Sequence, residues 1–271
     1  MKYLFKVEVR NSLKHIVMCL NFVGVLLTSM NAQAVSFDLI SSSPVGSWQL
    51  REDLDTNHKG KETLNRIRTS MVGKEQRNGQ DHYWIEVHLE TFKIKKNGDR
   101  KATGKPSIMK SLVPASTLKG DPENAISNLR TFGVETIIQT GNQSPIKMSN
   151  SGGLIAGAMK AANVELKQKF QDIGNEEVTV QAGTFSTRKL SGTGEVSANA
   201  VFKKINIKSN TTTWISNKVP FGLVKSEGDT ITNGKTSTQQ SELLEFGLYG
   251  AKSMIIKEPQ EMPSIKGIFG G

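Results

Sequence analysis

A chain of 271 residues, 36% of them hydrophobic, is long enough to bury a core without covalent staples. Its single cysteine excludes an internal disulfide framework and a cysteine-built zinc cluster. A net charge of +10 points away from cationic partners and towards anionic ones.

Residues 1–34 have the order of a secretory signal peptide. Lys2, Lys6, Arg10 and Lys14 make a positive leading region, "IVMCLNFVGVLL" (16–27) an apolar one, and "AQA" (32–34) a small-x-small cleavage site. The apolar run is shorter than the roughly 20 residues a spanning helix needs. Cleavage is therefore expected after Ala34, giving a periplasmic or secreted protein. Cys19, the one cysteine, lies inside the apolar run after Met18, a poor context for a lipid-modified cysteine. No later stretch is apolar enough to span a bilayer, so no membrane span is expected in the mature chain. In that compartment, nucleic acid is not an expected partner. Lipid headgroups, other anionic envelope components or an envelope protein are.

From residue 44 onward the dominant period is two. Strands are expected over 45–52, 62–75, 82–96 and 105–114. Asn-Gly pairs in "RNGQD" (77–81) and "NGD" (97–99) mark hairpin turns. "DLDTNHKGKE" (53–62) begins like a calcium loop. It puts His58 where glycine is required and Leu64 where glutamate is required, so a polar connection is expected instead.

"DHYWIEVHLE" (81–90) gathers two histidines, two glutamates, an aspartate and a tryptophan. On a strand, Tyr83, Ile85, Val87 and Leu89 share one face, expected to meet the core. His82, Trp84, Glu86, His88 and Glu90 share the other, expected to meet solvent or a wet groove. His82 and His88 stand roughly 20 Å apart at about 3.3 Å per residue, too far to ligate one ion. No metal or cofactor is expected.

Two helices are expected next. "DPENAISNLR" (121–130) has Asp121 as N-cap and Pro122 in the first turn. "SGGLIAGAMKAANVELKQKFQD" (151–172) spaces Leu154, Ala158, Ala161, Ala162, Leu166 and Phe170 at helical intervals. The chain then returns to period two over 176–194, 204–216, 221–230 and 235–249, where threonine is dense. The last residues, 253–271, have no period and are expected to form a loose tail. The expected organisation is a leader (1–34), one β-rich domain (35–252) and that tail.

No Gly-x-Ser-x-Gly elbow occurs, the mature chain has no cysteine nucleophile, and His58, His82 and His88 lie in no catalytic motif. No catalytic residue is assigned and no enzyme is expected. Trp84 and Trp214 are the candidate ligand-binding residues, large rings on strands, each weighed against a plain packing role.

"VTVQAGTFSTRKLSG" is followed by "TTTWISNKVPFGLVKSEGD", with Gly183 in the first and Trp214, Val219, Pro220 and Gly222 in the second. This pattern resembles a loose group of uncharacterised exported bacterial domains. These look like the half-barrel sheets of periplasmic lipoprotein carriers and outer-membrane lipoprotein receptors. The resemblance implies a mainly β (α+β) fold, a curved antiparallel half-barrel sheet with the two helices packed on its concave side. It also implies a groove for an apolar or amphipathic ligand such as a lipid or an acyl chain, and it assigns no binding residue. The alternatives are an envelope scaffold that binds another protein and a hydrolase of cell-wall polymers.

Overall fold

The computed structural model describes residues 37–38, 42–120, 133–149, 165–200 and 203–261. Their elements are, in chain order, β1 (Phe37–Asp38), β2 (Trp48–Thr56), β3 (Glu62–Arg77), β4 (Gln80–Ile94), β5 (Arg100–Ala102) and β6 (Ser107–Pro114). A 3-10 turn (Ala115–Leu118) precedes β7 (Lys119–Gly120), β8 (Glu135–Thr140) and β9 (Ile146–Ser149). Then come β10 (Glu165–Val180), β11 (Gly183–Ala200), β12 (Lys203–Ile215), β13 (Leu223–Thr232), β14 (Lys235–Gly247) and β15 (Gln260–Glu261).

Thirteen strands form one sheet in the order β10-β11-β12-β13-β14-β2-β3-β4-β6-β8-β9-β15, with β5 attached to β4; β1 and β7 pair separately. Two antiparallel meanders make up the sheet. One runs from β2 to β9 and the other from β10 to β14. A single ladder, β14 against β2, joins them, matching Ser241 to Asp53 and Gly247 to Trp48. The pairing of β15 with β9 is parallel, so the sheet is mixed. The sheet curls enough that β10 touches β13 and β14, several positions away in the order.

The expectation of two helices packed on a concave side is not met. Residues 165–172, inside the expected helix over 151–172, form the first half of β10 and pair residue by residue with β11. Helical spacing of Leu166 and Phe170 is only local evidence, whereas β11 pairs with fifteen of the sixteen residues of β10. Residues 151–164 and the expected helix over 121–130 lie outside the described residues. Among those described, no helix packs on either face. The corrected architecture is a nearly all-β mixed sheet.

The expected strands over 45–52, 62–75, 82–96, 105–114, 204–216, 221–230 and 235–249 correspond to β2, β3, β4, β6, β12, β13 and β14. The run over 176–194 covers the end of β10 and much of β11, with Gly183 opening β11 just after the turn at a φ of 132°. Asn78 and Gly79 both take positive φ, 52° and 73°, as a tight hairpin turn requires.

The core falls into clusters. Met71, Tyr83, Ile85, Val113, Leu118 and Phe221 form one, and Val178, Val180, Phe185, Trp214, Val219, Val224 and Leu243 a second. The connection between β12 and β13 serves both, because Val219 enters the second cluster and Phe221 the first. Phe221 does so at a φ of 60°, an unusual conformation for a bulky side chain. Its N–H donates to Ser43 Oγ at 2.7 Å, and the next residue, Gly222, turns at a φ of 75°.

Candidate functional site

The pairing register divides the side chains of β2, β3, β4, β6 and β8 into two faces. On the first face, Tyr83, Ile85 and Val87 are buried, as expected for that side of β4. Neighbouring strands add Met71, Thr69 and Ile67 from β3, Val113, Ser111 and Met109 from β6, and Gln49, Arg51 and Asp53 from β2. This face changes character along the strand direction. At one end lie Met71, Tyr83, Ile85 and Val113. At the other, Ser241, Asp53, Asn65 and Thr91 occupy one continuous row across β14, β2, β3 and β4.

Hydrogen bonds tie the row into two groups, one at Asp53 and one at Asn65. Ser241 Oγ donates to Asp53 Oδ1 at 2.6 Å, and Arg51 Nε donates to the same oxygen at 3.1 Å. Asn65 Nδ2 donates to Asp55 Oδ2 at 2.8 Å, and Thr91 Oγ1 donates to Asn65 Oδ1 at 2.9 Å. Arg51 and Asp53 are both buried, and burying an ion pair is tolerated only when further hydrogen bonds complete it, as Ser241 does here. Burial first, then the neighbouring Asp53 charge, pushes the Asp55 carboxyl up to about 6, against a smaller opposing pull from Asn65. Two residues before Arg51, Gln49 is 2% exposed and its Oε1 has no hydrogen-bond partner. Burial loosens towards the polar end, where Leu89, Thr91, Asn65 and Asp55 are only partly covered. The first face therefore grades from apolar to hydrogen-bonding, and it opens only at Asp55, Asn65, Thr91 and Leu89, while Asp53 and Ser241 stay buried.

The second face carries His82, Trp84, Glu86, His88 and Glu90, and the expectation that it meets solvent is corrected. His82 is 5% and Glu86 3% exposed. The chain after β14 crosses this face. Ala251 N–H donates to the Gly46 carbonyl, Ser253 Oγ and Met254 N–H donate to the two Glu86 carboxylate oxygens at 2.6 and 2.8 Å, and Gln260 and Glu261 pair with β9. Residues 253–261, expected to be a loose tail, are thus a fixed strap; 262–271 lie outside the described residues. His82 Nδ1 lies 3.0 Å from the Gln80 carbonyl.

The structure does not bring the two candidate tryptophans together. Trp84, half-buried on the second face, donates from Nε1 to Glu75 Oε2 at 3.0 Å, and Lys110 Nζ sits 4.8 Å from its ring. Glu75 also receives Arg77, which reaches on to Glu135 at 3.1 Å. Hydrogen bonds from Trp84 and Arg77 hold the Glu75 carboxyl below the usual range despite its partial burial, which alone would raise it. Trp214 is 4% exposed, donates to Glu176 Oε2 at 2.8 Å, and lies between Lys189 and Lys225, at 5.1 and 4.8 Å from its ring. Both indoles thus have their N–H satisfied and their rings covered by lysine. Sequence reasoning missed the polar row because it alternates within strands read for their apolar partners. The signal was present in "WQLREDLD" (48–55), where four polar side chains recur at every second position.

Among the described residues, no group of three histidine, cysteine, aspartate or glutamate side chains is arranged to hold a metal ion. No helix there is long and apolar enough to cross a membrane.

No family model matches this chain, and no curated protein matches it. Solved structures do. A candidate exported protein with a YmcC-like fold from Bacteroides fragilis NCTC 9343 is 13% identical, with a TM-score of 0.36, over 76% of this chain and 97% of that one. A candidate lipoprotein from Parabacteroides distasonis ATCC 8503 is 14% identical, with a TM-score of 0.38, over 79% of this chain and 100% of that one.

Proposed function

We propose that this is a non-enzymatic exported protein of the bacterial periplasm that binds an amphipathic ligand, a lipid or an acyl-chain compound, across the first face of its sheet. The observation that carries this reading is the gradient on that face, from the apolar group around Ile85 to the polar row of Asp53, Asn65 and Thr91. A ligand with an apolar tail and a hydrogen-bonding head matches such a gradient, because specificity comes from a few placed polar groups on an otherwise apolar surface. The leader-like first 34 residues support the periplasmic location.

Native mass spectrometry of gently purified protein tests this, together with displacement of a fluorescent acyl-chain probe. The expected result is a bound lipid or saturable probe binding, reduced about tenfold or more by Leu89→Asp at the partly covered border of the face. Absence of both a lipid and probe binding, with a stoichiometric protein partner in their place, would overturn it in favour of an envelope scaffold.

A further inference from the structure

We infer that the strap is also a membrane-docking surface, specific for a bilayer rich in anionic lipid. This stands apart from the ligand-binding reading, because the strap crosses the second face of the sheet, opposite the polar row.

The strap and the segment that leads into it from β14 hold large apolar side chains in the open. Ile256 is 89% exposed, Tyr249 77%, Met254 44% and Leu248 42%. Val45, at 46%, borders them where Gly46 lies against Tyr249 and Gly250, and Ile146, at 37%, is at the other end, where β9 meets β15. Isolated exposed apolar residues are ordinary, but four of them on one nine-residue stretch mark a candidate interaction site. This run is not a by-product of a loose chain. Residues 251–256 alternate, with Ala251, Ser253 and Ile255 partly covered and Lys252, Met254 and Ile256 exposed. Bonds from Ser253 Oγ and Met254 N–H to Glu86, and from Lys257 Nζ to the Asn142 carbonyl, fix the strap in that presentation.

Charge selects the occupant. Residues 248–257, "LYGAKSMIIK", contain two lysines and no acid, and the first acidic residue beyond them is Glu258. Lys252 and Lys257 are both exposed and bracket Met254 and Ile256. Apolar side chains flanked by lysines, with a tyrosine beside them, are what an interfacial membrane segment requires. The apolar groups enter the headgroup boundary, the phenol sits at it, and the ammonium groups meet anionic phosphates. Without the leader's four basic residues and Glu8, residues 35–271 still carry a net charge of +7, which adds long-range attraction of the same sign.

Co-sedimentation of the purified protein with phosphatidylglycerol-containing vesicles, against pure phosphatidylcholine vesicles, is the test. Binding is expected to the first and to fall by roughly tenfold or more in Tyr249→Ser/Met254→Ser/Ile256→Ser. It is expected to weaken in Lys252→Gln and in high salt. The altered side chains are exposed, so the melting temperature and acyl-probe binding of both variants should match those of the parent, which separates this inference from the ligand-binding reading. Equal binding to both vesicle types, no binding to either, or binding indifferent to the serine variant would overturn it. So would a serine variant whose only change is loss of self-association or of a protein partner.

Discussion

Asp55, which accepts a hydrogen bond from Asn65 of the polar row, shows how one residue couples the fold to pH. Its folded-state value of about 6 lies above the ordinary 3.8. A carboxyl raised in this way binds protons more tightly when folded. Its stabilising contribution is complete below pH 3.8 and is lost as pH rises through about 6. Asp55→Asn removes the penalised charge while keeping an oxygen to accept from Asn65. The variant should therefore melt higher than the parent at pH 7.5, by about 1 kcal/mol in stability once the group's partial solvation is allowed for, and equally at pH 4. Thermal melts at the two pH values check this, and a gain at pH 4 alone would contradict the sign. At the same scale, Glu86 shows what the sequence left illegible. Alternation along "HYWIEVHLE" placed Tyr83, Ile85 and Val87 against the core correctly. It could not show that residues 253 and 254, far along the chain, return to cover Glu86. Burial of a polar side chain depends on its partner, and that partner was distant in sequence.

At the scale of elements, three aromatic rings lie over glycines directly opposite them on the neighbouring strand. Trp84 faces Gly73, Trp48 faces Gly247 and Phe170 faces Gly192. Glycine weakens a strand, and a ring laid across it restores packing where no side chain exists. The fits differ in tightness. A Cβ at Gly247 would lie 2.6 Å from Trp48 Nε1, one at Gly192 would strike the Phe170 ring, and one at Gly73 would meet Trp84 Cδ1 at 3.4 Å. Gly247→Ala and Gly192→Ala should each destabilise by about 1–3 kcal/mol, as overpacking does, while Gly73→Ala should change stability by less than about 1 kcal/mol. Urea melts that ranked Gly73→Ala as the worst of the three would refute this account. Phe170 also shows why the helix expectation failed. Its spacing from Leu166 suited a helix, but its role is set by Gly192 across the ladder, a contact that no local window contains. Elements whose pairing is local were legible; "RNGQD" announced the hairpin between β3 and β4 outright.

For the whole molecule, the decisive relation is the one between the two meanders. Within each, a strand pairs mainly with its close neighbours in the chain, which is why the strand list was readable from the sequence. The β14–β2 ladder that unites them was not, because nothing in either segment names the other. Its buried ion pair is made within β2, by Arg51 and Asp53, and is completed across the ladder by Ser241, 188 residues from Asp53. Asp53→Ala would leave Arg51 buried without its counter-charge, at about 3–5 kcal/mol. The loss should appear chiefly as faster unfolding in stopped-flow denaturant jumps, with the refolding rate nearly unchanged. A refolding rate that fell in proportion to the lost stability would show the joint to be formed early.

That distance along the chain has a consequence in time. Synthesis delivers β2 long before β14, so for most of its emergence the first meander has an open edge. The strand-like alternation of β2 is then unpaired on one side, with its hydrogen-bonding groups available to any passing strand. Placing Arg51, Asp53 and Asp55 along that strand makes a wrong partner bury charge without its complement, and β14 alone among the described strands brings Ser241 to meet it. The same polar row that grades the finished surface would then act earlier as a gatekeeper, holding the edge vacant until the last long strand arrives.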